Sequence, residues 1–519
     1  MKLILPILFC FFLYLGCGNN TNADVAAVEK TSTKTQVKEE IVYGWENQEN
    51  RKLFIEDLKN SIKEGLLPED YSIGKLEKYE EFYDKLSEKE IETYYKQLSS
   101  SFIKYTSHLS NGKLNPRTIY PDWEIKKNTF KGDSILTIAL TKNKIDSVIE
   151  SCKPHHNIYN YLKEALAIVN ELPKDSLKPV VTKSKDRYTL GDKNKNIVLI
   201  KQKLQYWNDL NKSDTLTDVY NEAMQDAVKR FQARHGLEAD GVIGVGTVRA
   251  LNFTKEQRKE QIIVNLERWR WFPRDLGVNY LAVNIPNYYL NVVQNTDTTK
   301  THKVVVGSEK RKTPILSSKI DNIVFNPTWT VPPTILKEDV IPGTQKDRTY
   351  LTERNITIYN HKGKEVTLGS WNLNEAENYK YVQSPGENNS LGFVKINFPN
   401  NHSVYLHDTN HRDLFVKNYR ALSSGCVRVE NPLNLAEYLL TSKKIYTPTK
   451  IDSILFLKKT KTVKIEEEFH VHILYFTAWY EKGQLQFRND VYAYDPELYL
   501  RLRNKFRGNV VTSSGVVNK

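Results

Sequence analysis

The sequence predicts a multi-domain α+β protein. It should have a helical N-terminal scaffold, a compact three-helix unit, and a mainly β domain that carries an insertion. Three observations lead there. The chain has 519 residues, too many for one ordinary hydrophobic core. Between about residues 50 and 180, apolar residues recur at steps of three and four, the period of a helix face. Near residue 278 the texture changes to short β-branched and aromatic runs broken by turns. Hydrophobic residues make up 39% and aromatics 11%, which is enough to fill packed cores and excludes a globally disordered chain.

Lys and Arg outnumber Asp and Glu by 75 to 62, a net charge of +13. The two signs are interleaved, so the excess reads as a solvated basic surface and no nucleic-acid partner is expected. The N-terminus, MKLILPILFCFFLYLGCGNNTN, places Lys2 before an apolar run from Leu3 to Leu15. That run is short against the roughly 20 residues a membrane span needs and reads as an export signal. Gly16-Cys17, followed by polar residues, is similar to a bacterial lipoprotein cleavage site, although Tyr14 stands where a leucine is usual. The expectation is a signal over 1–17, a lipid on Cys17 holding the protein to a membrane of the bacterial cell envelope on the periplasmic side, and a flexible tether over 18–44.

Export exposes thiols to oxidation. Of the cysteines, Cys10 and Cys17 fall in the signal, leaving Cys152 and Cys426. These two could pair. Cys426, however, sits in a Ser-Gly-Cys turn, a poor place for a structural staple and a good one for a reactive thiol.

Residues 45–186 read as a helical scaffold. Phe54, Leu58, Ile62 and Leu66 fall on one stripe, and Ile91, Tyr95, Leu98, Phe102, Tyr105 and Leu109 on another. Ser87-x-x-Glu90 is a capping-box pattern ahead of the second stripe, and Asn111-Gly112 a stop after it. Cys152 with His155 and His156 is too small a set for a metal. Residues 187–253 form a compact unit, with helices expected at 195–209, 219–235 and 245–251. Ala223, Val228, Phe231 and Gln232 are expected on the inner face of the second. The unit carries Phe231, Gly236-Leu237, Asp240-Gly241, Gly244, Thr247 and Ala250-Leu251-Asn252. In this it resembles the three-helix peptidoglycan-binding domain; a packing module that has lost glycan binding is the plain alternative. A connecting helix occupies 254–277.

From 278 to 460 the strand-like runs suggest an antiparallel β domain, with a more polar, irregular insertion at 333–385. Residues 461–519 read as a hairpin, turning at Gly483, and a helix packed on that domain. His470 and His472 alternate on one strand face, where a structural pair is the expected reading. Strand alternation along HSVYLHDT puts Tyr405 and His407 on one face, with Val404 and Leu406 on the other. The loop that follows is long enough to bring Cys426 back to the strand tip. A thiol becomes a nucleophile when a base takes its proton or an electropositive site holds the thiolate. Ser423, Ser424 and Gly425 are small enough to let a carbonyl approach their amides. Arg428 can hold the loop or a substrate carboxylate. His411 is an alternative base.

The run YLHDTNHRDLFVKNYRALSSGCVRV resembles the active-site signature of the L,D-transpeptidase family: a His, a spacer, then Ser-x-Gly-Cys-x-Arg. It departs from the common version at Ser424 and Arg428, in the manner of the large multi-domain branch. The order of parts is also that of this branch, in which the insertion caps the substrate cleft. The resemblance implies Cys426 as nucleophile, His407 as general base and acid, and the amides near Gly425 and Cys426 in an oxyanion hole. Tyr405, Ser424 and Arg428 would contact substrate. It implies a stem tetrapeptide of peptidoglycan as donor, release of D-alanine, a thioester, and a 3→3 cross-link. No cofactor or metal is implied, and carbapenems would acylate Cys426. The same thioester resolved by water would give an L,D-carboxypeptidase. A wall-binding scaffold without catalysis would be expected to lack Cys426 or His407. A papain-like thiol protease would place its Cys before its His.

Overall fold

The computed structural model describes residues 44–182, 187–440 and 445–505. The signal, Cys17 and nearly all of the expected tether lie outside these residues, as does the end of the chain. The chain divides into two units, Met1–Ile41 and Val42–Lys519; the fold described here is that of the second. Among the described residues, no helix is long and apolar enough to cross a membrane.

The first helix, Gln48–Asn60, buries Phe54 and Leu58 and then tightens into a 3₁₀ turn at Ser61–Glu64. That tightening rotates the stripe, so Ile62 is 49% exposed instead of continuing the buried row. The long helix Glu88–Asn111 starts with the Ser87–Glu90 capping box and stops at Gly112. Tyr94 takes the core position expected of Tyr95.

The helical region divides its packing between two cores. Residues from Trp45 to Cys152 pack together. Helix Asn157–Glu171 instead lays Tyr159, Leu162, Ala165, Leu166 and Val169 against the cluster that includes the β domain. The helix Lys255–Trp271 lies between these parts and is buried on every side from Gln261 onward. Two of its buried cations have partners within the interior: Arg270 bonds Glu267 at 2.9 Å, and Arg268 bonds the Tyr120 hydroxyl at 2.9 Å. Burial of these charges is tolerable because each has a partner.

The three-helix unit comprises Lys195–Tyr206, Glu222–Arg234 and Val245–Leu251. Ala223 is exposed, and Met224 and Ala227 fill the inner face instead. Gln232 is buried because its amide organises the glycine-rich turn. It donates to Asp240 Oδ1 (3.0 Å) and the Val242 carbonyl (2.9 Å), and accepts from the Gly241 N–H (2.9 Å).

The β domain is built on an eleven-stranded sheet. It is mixed, not antiparallel as expected: Asn279–Asn284 pairs in parallel with His470–Leu474, and Leu406–His407 with Val427–Val429. The sequence from 461 is also not an appendage. Lys461–Lys464 and His470–Leu474 are strands of the sheet itself, supplying Val463, Val471 and Ile473 to its core. Only the hairpin Ala478–Glu481 with Gln484–Phe487 and the helix Asp495–Leu502 stand beyond it. His472 is structural: its ring bonds Ser317 Oγ and the Leu276 carbonyl, each at 2.8 Å.

The insertion is an ordered subdomain. Trp329–Thr330, Lys380–Gln383, Ile356–Tyr359 and Glu365–Val366 form a four-stranded antiparallel sheet. Short helical turns between 333 and 353 cover it around Val331, Leu336, Val340, Leu351, Ile358 and Tyr381. It therefore begins by Trp329, before the expected start at 333.

Candidate active site

Strand pairing assembles the site. Lys395 of Val394–Asn397 stands opposite His407, and His407 beside Arg428 of Val427–Val429. Residues paired across strands share a sheet face, as do residues two apart along one. Lys395, Tyr405, His407, Cys426 and Arg428 therefore project on one side. The HSVYLHDT run pairs only at Leu406–His407. Asn400 Oδ1 takes the N–H groups of His402 and Val404, and Ser403 adopts φ +55°, so the chain turns before it extends. After His407 the loop returns to the sheet at Arg420. Its guanidinium donates to the carbonyls of Val304 (3.1 Å), Tyr288 (2.9 Å) and Lys417 (2.8 Å).

A cavity of about 620 Å³ lies over this face. Cys426, His407, Tyr405, Arg428, Ser424 and His411 line it from the sheet side. Trp329, Ile335, Asp339, Tyr350 and Arg354 of the insertion line it from the other. The insertion is tied to the cysteine loop by Arg311, whose Nη1 reaches Asp339 Oδ2 and Ser424 Oγ, each at 2.8 Å. A larger cavity, about 830 Å³, is lined by His302, Asp408, Arg412 and Glu430, but neither Cys426 nor His407 reaches it.

Cys152 and Cys426 are both free. Cys152 is buried in the helical core, so the thiol open to the cavity is that of Cys426. Burial pushes the Cys426 thiol up from its ordinary value; hydrogen bonds from the Tyr405 backbone and side chain, and the charges of Lys395 and Arg428, oppose this. His407 is 5% exposed. Burial, with the Arg428 charge next, pushes its imidazole down to about 3. Its Nδ1 bonds the Asp408 carbonyl, which can only accept. Nδ1 is therefore assigned the proton, and Nε2 is the basic nitrogen. Asp408 is fixed in turn: its Oδ2 accepts from the Phe393 N–H (2.9 Å) and Arg412 Nη2 (2.8 Å). A Cβ on Gly392, at φ +57°, would lie 2.2 Å from that oxygen. At neutral pH the face thus holds a neutral thiol and a neutral imidazole, with two cations beside them. Such a set can add sulfur to a carbonyl while a base removes the proton.

One expectation is corrected. The Gly425 N–H is not open to an oxyanion, because it donates to Ser423 Oγ at 3.2 Å. Ser423 Oγ in turn donates to the Cys426 carbonyl at 2.6 Å. The Cys426 N–H has no such partner among the described residues. Ser424 is exposed and bonded to Arg311. Arg428 keeps a buried Nε with no partner among the described residues. His411 is exposed, on the loop beyond the sheet row. Three residues escaped sequence reasoning. Lys395 holds its ammonium 4.0 Å from the centre of the Tyr405 ring. Trp329 lines the same cavity as Tyr405. Arg311 joins the insertion to the loop. Alternation in Val394-Lys395-Ile396 carried a signal for the first.

The β domain and its cysteine cleft define the class. Residues 278–451 match the family model described as "L,D-transpeptidase catalytic domain". Residues 40–166 match "Scaffold domain" and 193–251 match "Putative peptidoglycan binding domain". Over these three stretches the chain is similar to multi-domain L,D-transpeptidases. A protein of Haemophilus influenzae named "Putative L,D-transpeptidase" is 37% identical over 244 residues, 46% of this chain and 49% of that one. The chain thus spans about half the length of the curated relative it matches. Among solved structures, an L,D-transpeptidase of Xylanimonas cellulosilytica is 13% identical, covering 56% of this chain and 100% of its own, with a TM-score of 0.18. One of Stackebrandtia nassauensis is 13% identical, covering 59% and 100%, with a TM-score of 0.22.

Proposed function

We propose that the protein is a peptidoglycan L,D-transpeptidase of the cell envelope that forms 3→3 cross-links through a thioester on Cys426. The observation that carries this reading is the single sheet face bearing Cys426, Tyr405, His407, Lys395 and Arg428 beneath the insertion. His407 Nε2 takes the thiol proton as sulfur attacks the carbonyl of the third residue of a stem tetrapeptide. The carbonyl electron pair moves onto oxygen, where the Cys426 N–H receives it. Collapse of the tetrahedral species breaks the peptide bond, and His407 returns the proton to the departing D-alanine amine. An amine from the third residue of a second stem then attacks the thioester and regenerates the thiol. No metal is needed in any step. Arg428 suits a substrate carboxylate, since its unpartnered buried Nε is costly until an anion arrives. Tyr405 and Ser424 border the reacting carbonyl. The insertion caps the cleft, the three-helix unit engages glycan, and a lipid on Cys17 holds the protein to a membrane.

The test is the mass of the products from a disaccharide-tetrapeptide. A tripeptide–tetrapeptide dimer with free D-alanine supports the transpeptidase. Tripeptide alone indicates a carboxypeptidase, and no release of D-alanine favours a wall-binding scaffold.

The pH dependence follows from the state of the pair. A lowered imidazole pKa keeps the base unprotonated to lower pH, so activity is present above that pKa and lost as pH falls through it. With His407 near about 3 instead of the ordinary 6.5, the acylation rate is expected to change by less than about twofold from about pH 7 to about pH 5. An ordinary imidazole would lose more than about tenfold over that span. Acylation rates measured over the range, with folding checked by circular dichroism, distinguish the two.

A further inference from the structure

The strongest unassigned feature lies behind the cysteine loop. Thr313 is 2% exposed and does not border the cleft. Its hydroxyl donates to the Gly425 carbonyl at 2.7 Å and accepts from the Gly307 N–H at 2.8 Å. Its own N–H donates to the Tyr492 hydroxyl at 3.0 Å, and that hydroxyl donates to the Gly307 carbonyl at 2.7 Å. Tyr492 is held in turn: its N–H donates to the Tyr475 hydroxyl at 2.8 Å, and Tyr475 donates to Asp490. Every hydrogen of these hydroxyls has an acceptor, so the chain has one arrangement.

The consequence lies in the peptide joining Gly425 to Cys426. A trans peptide is planar, with C=O and N–H pointing in opposite directions. Thr313 fixes the carbonyl end towards the interior. The Cys426 N–H must then point away from the interior, on the side where Cys426 borders the cavity. Gly425 reaches this orientation at φ +114°, a region that favours glycine. Because the Gly425 N–H is already bonded to Ser423, the Cys426 N–H is the donor whose direction matters.

We propose that Thr313, buttressed by Tyr492, is a positioning residue that aims the Cys426 N–H at the oxyanion formed during thioester synthesis. The proposal rests on the reading of Cys426 as the nucleophile. It adds a role for side chains that touch neither substrate nor sulfur.

The test uses the full-length chain and two reagents. Single-turnover acylation by a disaccharide-tetrapeptide needs the oxyanion donor. Alkylation by iodoacetamide, a displacement at carbon with no oxyanion, needs only the thiolate. Thr313→Val keeps the shape and removes the hydroxyl. It is expected to slow acylation about 10- to 100-fold, below the full value of an oxyanion donor because the N–H is misdirected and not deleted. Alkylation should stay within about twofold of wild type, with the loss in kcat and not KM. Thr313→Ser should restore acylation to within about threefold of wild type, because it restores the hydroxyl. Should Thr313→Val not fold, Tyr492→Phe decides: a fall confined to acylation supports the proposal, and no fall overturns it. Wild-type acylation by a folded Thr313→Val chain overturns it, as does an equal fall in both reactions. A wild-type chain that alkylates but never acylates sinks the nucleophile reading, and the proposal with it.

Discussion

A Cys426→Ala chain is expected to fold and to form no covalent adduct with a stem tetrapeptide. Cys426 is half-buried, and its Sγ makes only a long contact of 3.8 Å with the Ser403 carbonyl besides its interaction with Tyr405. Its replacement by a methyl group should therefore cost about 1 kcal/mol or less. The geometry around it does not depend on sulfur. Tyr405 still receives the Val427 N–H at 3.1 Å, and Ser423 and Thr313 still hold the loop. What disappears is the atom proposed to carry the acyl group, and no other described thiol borders the cleft. Intact-mass spectrometry reads the adduct and thermal unfolding reads the fold. An adduct on this variant would remove Cys426 from its role.

His407→Ala is expected to slow acylation by about 10²–10⁴, the usual worth of general-base help. The loss should be large here because the thiol does not begin as a thiolate: burial pushes its pKa up, and the Lys395 and Arg428 charges oppose that only in part. Thiolate formed by hydroxide bypasses the base, so alkylation by iodoacetamide well above pH 9 should differ little between variant and wild type. An unchanged acylation rate would transfer the role to His411, which lines the same cavity from the exposed loop.

The sequence made legible whatever depends on neighbours in the chain. The Ser87–Glu90 cap, the stop at Gly112 and the glycine-rich turn around Gly241 follow from local backbone chemistry. Alternation also placed His407 and Tyr405 on one face, although the strand pairs over only two residues. What stayed hidden depends on pairing across long separations. Parallel pairing of Asn279–Asn284 with His470–Leu474 cannot be seen in either run alone, so the C-terminal strands looked like an appendage. Lys395 enters the site through its register with His407, and Arg311 and Thr313 through contacts with a loop more than a hundred residues later. The Gly425 amide was misassigned because the competing acceptor, Ser423 Oγ, is close in sequence but presented only by the folded turn. The helical region looked like one unit because a stripe of apolar residues does not say which neighbour it faces; in Asn157–Glu171 it faces Lys255–Trp271.

The most direct test of the account is to trap the wild-type chain with a disaccharide-tetrapeptide, digest it and map the acyl group by peptide mass spectrometry. The account requires the added mass to be that of the substrate less D-alanine, on the peptide containing Cys426 and on its sulfur. Release of D-alanine with the acyl group on another residue, or with Cys426 still open to alkylation throughout turnover, would contradict it.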